Sequence, residues 1–358
     1  MHAGTGDVGV CYGTQGDNLP EPEEVVSLYQ DQGIGKMRIY EPFPDVLEAL
    51  QGSDIEVMVG LPNKDLQCLA EDNSAAISWV QTNILDYYPS VNFRYIAIGN
   101  EVTPVPENNN SAYAQFVLRA MSNVFDAIRD AGLSEIIIVS ASIDLTVIET
   151  KTNFPPSNAR FRDDVVWFMK PILDFLSATG GPILTSVYPY FARVHDPSHI
   201  SLEYVLFTKT SPEFTDNVTN LQYFNLFDAQ LDALDFAMEK ILGTSYNTTL
   251  KDPNLSQQKL GMNMPDKVVT ETGHPKAGGK KKSRRLLGTD ETINNACTYY
   301  RNVIGHVSCG TPKRPGVPIE TYLFAMFDEN KKDGDETERH FGLFYPDEVP
   351  ACQINFRE

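Results

Sequence analysis

Residues 94–102 read RYIAIGNEV. Tyr95, Ile96, Ala97 and Ile98 are apolar without alternation, which suits a parallel strand covered on both faces, yet the run breaks at once into Asn100 and Glu101. Seven further runs share this β-rich character: DVGVCYG (7–13), KMRIYEP (36–42), IEVMVGLP (55–62), EIIIVSASI (135–143), PILTSVYPYF (182–191), KVVTET (267–272) and ETYLFAMFDE (320–329). Amphipathic stretches such as EPEEVVSLYQDQ, AYAQFVLRAMSNVFDAIRDAG and LFDAQLDALDFAMEKILG separate them, the last two closing on a glycine as helix ends prefer. Strand and helix alternating eight times predict an α/β fold, a (β/α)8 TIM barrel. A doubly wound open sheet fits less well, because the turn GVCYGTQGDN does not lead directly into a helix and carries no dinucleotide fingerprint. No composition break divides the chain, so a single domain is expected over 7–350. Its loops are elaborated at 192–225 and 243–265, predicting a small loop subdomain around the sixth helix.

The balance of charge excludes several classes of partner. Against 48 Asp and Glu stand 29 Lys and Arg, a formal net charge of -19 that repels phosphate backbones and anionic headgroups. Nucleic acid and membrane are therefore not expected partners, and no apolar run approaches the length of a membrane span. The basic stretch GGKKKSRRLLG (278–288) reads as a solvated, protease-sensitive loop. Sequons at Asn109, Asn217, Asn247 and Asn254 are acceptor sites for N-glycosylation and point to a secreted protein. The start MHAGTGDVGV lacks the basic and apolar regions of a signal peptide, so secretion implies a leader already removed. The five cysteines, Cys11, Cys68, Cys297, Cys309 and Cys352, form no CxxC pair and no zinc spacing. They are read as neither a disulfide framework nor a metal site, with at least one thiol left unpaired within the chain.

In such a barrel, chemistry sits at the C-terminal ends of the strands. Glu101 ends the fourth strand and Glu271 the seventh, on opposite walls of the mouth. Cleaving a glycosidic bond takes one carboxyl group to protonate the leaving oxygen and another to capture the charge developing at the anomeric carbon. Asn100, beside Glu101, has the chemistry to bond a sugar hydroxyl next to the reacting carbon. Aromatic residues recur at the strand ends and predict a lined sugar cleft: Tyr12, Tyr40, Tyr188, Tyr190, Phe191 and Phe327. The last strand adds Glu320 at its start and Glu329 at its end, with Lys332 just beyond. In VVTETGHP, Gly273 and Pro275 mark an abrupt turn off the strand behind Glu271.

Several segments, VGVCYGTQGDNLP, MRIYEP, YIAIGNEV, TSVYPYF, NLFDAQLDA, VVTETGHPKAG, GTPKRPG, IETYLFAMFDENKK and HFGLFYP, occur in an order that resembles the plant endo-β-1,3-glucanases of glycoside hydrolase family seventeen. The resemblance runs from about residue 8 to about 348. It implies a (β/α)8 barrel that acts with retention, with Glu101 of GNEV as general acid/base and Glu271 of TETG as nucleophile. It places Tyr12, Tyr40, Asn100, Tyr188, Phe191, Glu320, Glu329 and Lys332 in groove-lining segments. It further implies no metal or organic cofactor and a β-1,3-glucan polysaccharide or oligosaccharide as substrate. A monomer is expected, in an extracellular, cell-wall or vacuolar setting. His274 departs from the family, which usually carries a Trp after SESG, and is expected to alter packing or pH dependence. Mixed-linkage β-1,3-1,4-glucan cleavage, glucanosyl transfer and a silent glucan-binding relative are the alternative readings.

Overall fold

The computed structural model describes residues 8–149, 154–243, 264–279 and 290–356. Eight parallel strands close into a barrel. They are β1 (Val8–Tyr12), β2 (Lys36–Ile39), β3 (Glu56–Leu61), β4 (Asn92–Ile98), β5 (Ile138–Ile143), β6 (Ile183–Ser186), β9 (Lys267–Thr272) and β10 (Thr321–Leu323). The ring runs β1-β10-β9-β6-β5-β4-β3-β2, so first and last strands pair and no edge is left open. The antiparallel pair β7 (Phe214–Thr215) and β8 (Gln222–Tyr223) lies outside it.

Burial explains the unbroken apolar runs. Residues that point outward from the strands, among them Ile96, Ile98, Val57 and Val59, pack under the surrounding helices. Inward-pointing Cys11, Met58, Tyr95, Ala97, Leu184, Val268 and Tyr322 fill the barrel interior as a separate cluster. Both faces of each strand are therefore dry, and a polar residue among them has to find a partner. At the N-terminal end this partner set is ionic: Lys36 Nζ reaches Glu56 at 2.7 Å and Glu320 at 3.1 Å, while Tyr95 and Tyr322 donate to the Glu320 carboxylate at 2.9 and 3.0 Å.

The helices start and stop where their sequences dictate. In Pro22–Gln32, Pro22 occupies the first turn, Glu21 and Glu24 form a capping box, and Gly33 closes the helix at φ 76°. Helix Leu226–Leu242 is capped by Asn225, whose side chain accepts the Asp228 N–H, and ends on Gly243. Its inward row of Asp228, Asp232 and Asp235 is buried, because Tyr223 donates to Asp232 at 3.0 Å and Lys267 and Arg314 pair with Asp235. The loop region before it folds as helices Pro189–His195 and Leu202–Val205 plus the β7–β8 hairpin. The 243–265 stretch and the basic run 278–288 fall mostly outside the described residues, as do Asn247 and Asn254. No helix among the described residues is long and apolar enough to cross a membrane.

Three expectations need correction. The sixth strand stops at Ser186 rather than running to 191, because Pro189 opens a helix with its fixed φ. The last strand is paired only over Thr321–Leu323, and beyond a cis Phe324–Ala325 peptide it keeps a single bridge from Phe327 to Phe344. Cys297 and Cys352 are joined in a disulfide that ties helix Ile293–His306 to the C-terminal segment, a bridge that the cysteine spacing, read as no disulfide framework, does not signal. Cys11 is free and buried, and Cys68 and Cys309 are free and exposed.

The bridge closes a span of 55 residues. Replacing Cys297 by Ser is expected to lower stability by about 4 kcal/mol on the chain-entropy account. Urea midpoints of the two proteins check this, and coincident midpoints contradict it.

Candidate active site

A cleft of about 1050 Å³ opens at the C-terminal ends of the strands, lined by both Glu101 and Glu271. Glu271, the penultimate residue of β9, is buried and surrounded by donors. Arg38 Nη1 reaches its Oε1 at 2.7 Å, the Tyr40 hydroxyl reaches the same oxygen at 2.9 Å, and the Tyr188 hydroxyl donates to Oε2 at 2.8 Å. An ionised carboxylate only accepts, so this donor-rich setting suits the charged, nucleophilic form. Arg38 is itself 1% exposed and also donates to the Thr270 carbonyl and to Asn100 Oδ1 at 2.6 Å.

Glu101 stands in the opposite environment. It leaves β4 through a tight turn in which Gly99 has φ 71° and Glu101 itself φ 50°. A non-glycine residue there costs about 1–3 kcal/mol, and surrounding bonds have to impose it. Asn63 accepts the Asn100 N–H at 2.7 Å and donates to the Asn100 carbonyl at 3.1 Å, while Asn108 Nδ2 donates to the Glu101 carbonyl at 2.8 Å. Burial, then the charges of Glu271 and Asp144, push the Glu101 carboxyl up to about 8. Its proton is therefore in place at neutral pH and below. One carboxyl group kept charged by donors and one kept protonated by its surroundings, in a single cleft, is an acid and nucleophile arrangement.

Of the other expected groove residues, Tyr40, Asn100, Tyr188, Phe191, Glu329 and Lys332 line the cleft. Glu329 accepts the Gln15 N–H at 2.8 Å and approaches Gly13 so closely that any Cβ there would collide with its carboxylate. Burial raises its pKa. Lys332 Nζ lies 3.7 Å from the Phe324 ring centroid and 3.8 Å from Glu338 Oε2. Four expectations fail, the first being Tyr190, which is buried against His274 with its hydroxyl on Glu291 and is not among the cleft-lining residues. Glu320 sits at the N-terminal end of its strand, bonded to Lys36, Tyr95 and Tyr322 on the far side of the barrel from the cleft. Tyr12 and Phe327 pack edge to face at 6.5 Å in the core and are not among the cleft-lining residues.

Arg38, Asn63, Asn108, Asp144 and Glu338 were not singled out from the sequence, although all but Asn108 line the cleft. Arg38 left a signal: it is a charge inside the strand KMRIYEP, two residues before Tyr40 and so on the same inward face. His274, expected to disturb the site, is buried and edge-on to Tyr190 at 5.0 Å, its Nδ1 against the Pro275 carbonyl. Burial pushes its pKa down to about 4, so it is uncharged at neutral pH.

Residues 8–356 match the model of the family described as Glycosyl hydrolases family 17. A glucan endo-1,3-beta-glucosidase of Vitis vinifera is 47% identical over 353 residues, 99% of this chain and 92% of its own length. Among solved structures, a beta-1,3-glucanase and allergen of Cryptomeria japonica pollen superposes with TM-score 0.84 at 44% identity, covering 98% of this chain and 99% of that one. One described among two plant beta-glucan endohydrolases with distinct substrate specificities superposes with TM-score 0.82 at 37% identity, over 97% and 100% of the two chains.

Arg38→Met is expected to lower kcat/KM at least about a hundredfold and stability by about 3–5 kcal/mol, since it strands a buried carboxylate. Steady-state kinetics and urea unfolding of the variant check both, and wild-type values for either contradict the account. His274 gives a prediction of opposite character. Its folded pKa is depressed, so its contribution to stability is full above pH 6.5 and is lost as pH falls toward 4. His274→Phe should therefore gain about 3 kcal/mol relative to wild type between pH 7 and pH 4. A stability difference that stays constant over that range contradicts this.

Proposed function

The chain belongs to glycosyl hydrolases family 17, and from that premise we propose that it is a secreted endo-1,3-β-glucanase. It cleaves internal bonds of linear β-1,3-glucan with retention of configuration. The observation that carries the reading is the pairing, in one cleft, of Glu271 held by Arg38, Tyr40 and Tyr188 with Glu101 held protonated by burial and neighbouring acids.

In the first step Glu101 gives its proton to the glycosidic oxygen as the bond from that oxygen to the anomeric carbon breaks, and Glu271 bonds to the carbon. The leaving chain departs with a new hydroxyl. Glu271 loses its negative charge on forming the ester, so one of the two acidic neighbours that raised Glu101 falls silent. Glu101, now a carboxylate, takes a proton from water while the water oxygen attacks the anomeric carbon and Glu271 leaves as carboxylate. Arg38 and the two tyrosines receive that returning charge in a site already oriented for it. Phe324, Phe341 and Phe191 supply apolar faces in the same cleft for sugar C–H surfaces.

The exposed sequons Asn109 and Asn217 and the Cys297–Cys352 disulfide support a secretory destination, extracellular, in the cell wall or vacuolar, because such bridges persist in oxidising compartments.

Glu101→Gln and Glu271→Gln are each expected to lower release of reducing sugar from linear β-1,3-glucan at least about a thousandfold without changing the circular dichroism spectrum. Mixed-linkage glucan assayed in parallel should be the poorer substrate. Proton NMR of the wild-type reaction should show the β-anomer first. Activity retained in both variants, or the α-anomer formed first, contradicts the proposal.

A further inference from the structure

We propose that Asp144 is a positioning residue for the reaction: fixed at the end of β5 and tied to the Glu101 turn through Asn108, its charge keeps Glu101 protonated until the leaving oxygen arrives. The inference rests on the reading of Glu101 as general acid. Asp144 follows the last residue of β5, lines the cleft with Glu101, and caps the turn Leu145–Val147. Its Oδ1 accepts the Thr146 N–H at 2.8 Å and a bond from the Thr146 hydroxyl, and its Oδ2 accepts Asn108 Nδ2 at 3.2 Å. These donors are a backbone amide, a hydroxyl and a side-chain amide, all neutral. Burial raises the Asp144 carboxyl on balance, and these donors oppose that rise and orient the carboxylate without cancelling its charge.

The same Asn108 Nδ2 donates to the Glu101 carbonyl and to the Thr103 hydroxyl at 3.1 Å. One amide therefore fixes both the unusual backbone of Glu101 and the carboxylate that acts on it. The groups facing Glu101 come from four strands or strand ends: Glu271 on β9, Asp144 after β5, Arg38 on β2 and Ser186 at the end of β6, whose hydroxyl is buried in the cleft wall. Glu271 and Arg38 largely answer each other through their 2.7 Å ion pair. The Glu271 charge also vanishes in the covalent intermediate, whereas Asp144 keeps its charge through both half-reactions. It thus holds the proton on Glu101 in the first step and strengthens Glu101 as a base in the second.

The test is the pH dependence of kcat/KM on a soluble β-1,3-gluco-oligosaccharide for wild type, Asp144→Asn, Asp144→Ser and Asp144→Glu, with Glu101→Gln alongside. Serine keeps a cap for the Thr146 N–H, so the charge can be removed even if the asparagine variant folds poorly. Removing a like charge lowers the pH at which Glu101 gives up its proton. The alkaline limb should move down by about one pH unit in both neutral variants and return toward wild type with Glu. A limb that stays in place in the neutral variants, while Glu101→Gln is inactive, overturns the role of Asp144 and leaves that of Glu101 standing. Full turnover by Glu101→Gln with its alkaline limb intact overturns the reading of Glu101, and this inference with it.

Discussion

The Arg38 guanidinium is almost fully buried at the mouth of the barrel, where it donates to Glu271 Oε1, to the Thr270 carbonyl and to Asn100 Oδ1. Taking such a charge out of water costs several kcal/mol unless an opposite charge and good hydrogen bonds meet it. Both strands that carry the two cleft glutamates are thereby tied to β2: Glu271 directly, and the Glu101 turn through the side chain of Asn100. The ring of Tyr40 lies over the same guanidinium at 4.7 Å and its hydroxyl reaches the same Glu271 oxygen. The position of the Glu271 carboxylate is thereby over-determined, which is what the proposed in-line attack requires.

The remaining polar groups of the mouth serve a second constraint, the backbone of Glu101. Its positive φ would relax if nothing opposed it, and Asn63 and Asn108 oppose it from two sides with bonds worth about 1 kcal/mol each. That turn sets Glu101 beside Glu271 and Asp144, whereas Glu271 itself is held by Arg38 and two tyrosines. The different settings of two identical side chains follow from where the barrel places their neighbours. A parallel sheet with both faces covered is what makes those neighbours rigid.

Much of this was legible in the sequence, for a physical reason. Eight short β-rich runs spaced by amphipathic stretches signal buried strands between helices, and a strand that ends in GNE or TETG breaks its own pattern at the one end where a barrel carries chemistry. The misreadings share a cause as well. Glu320 falls in a segment that resembles groove-lining sequence, yet it opens its strand, and in a parallel barrel the start of a strand lies at the opposite face. Tyr12 and Phe327 look like platform residues because core rings and sugar-binding rings have the same composition, and only their mutual packing tells them apart. Asn108 sits in a loop, and Asn63 and Glu338 in single 3-10 turns, whose course no periodicity encodes. Arg38 was hidden by its strand, although its parity with Tyr40 pointed it inward. The Cys297–Cys352 pair depends on a helix and a C-terminal segment meeting in space, which spacing along the chain does not report.

The most direct test of the account is to trap the covalent intermediate. Incubating the protein with a 2-deoxy-2-fluoro-β-laminaribiosyl fluoride, then digesting it and reading the peptides by mass spectrometry, locates the atom that attacks the sugar. The account predicts a single adduct on the peptide carrying Glu271, absent in Glu271→Gln. An adduct on Glu101, or turnover of the reagent that yields the inverted product with no adduct, would contradict the assignment of Glu271 and the division of roles built on Arg38.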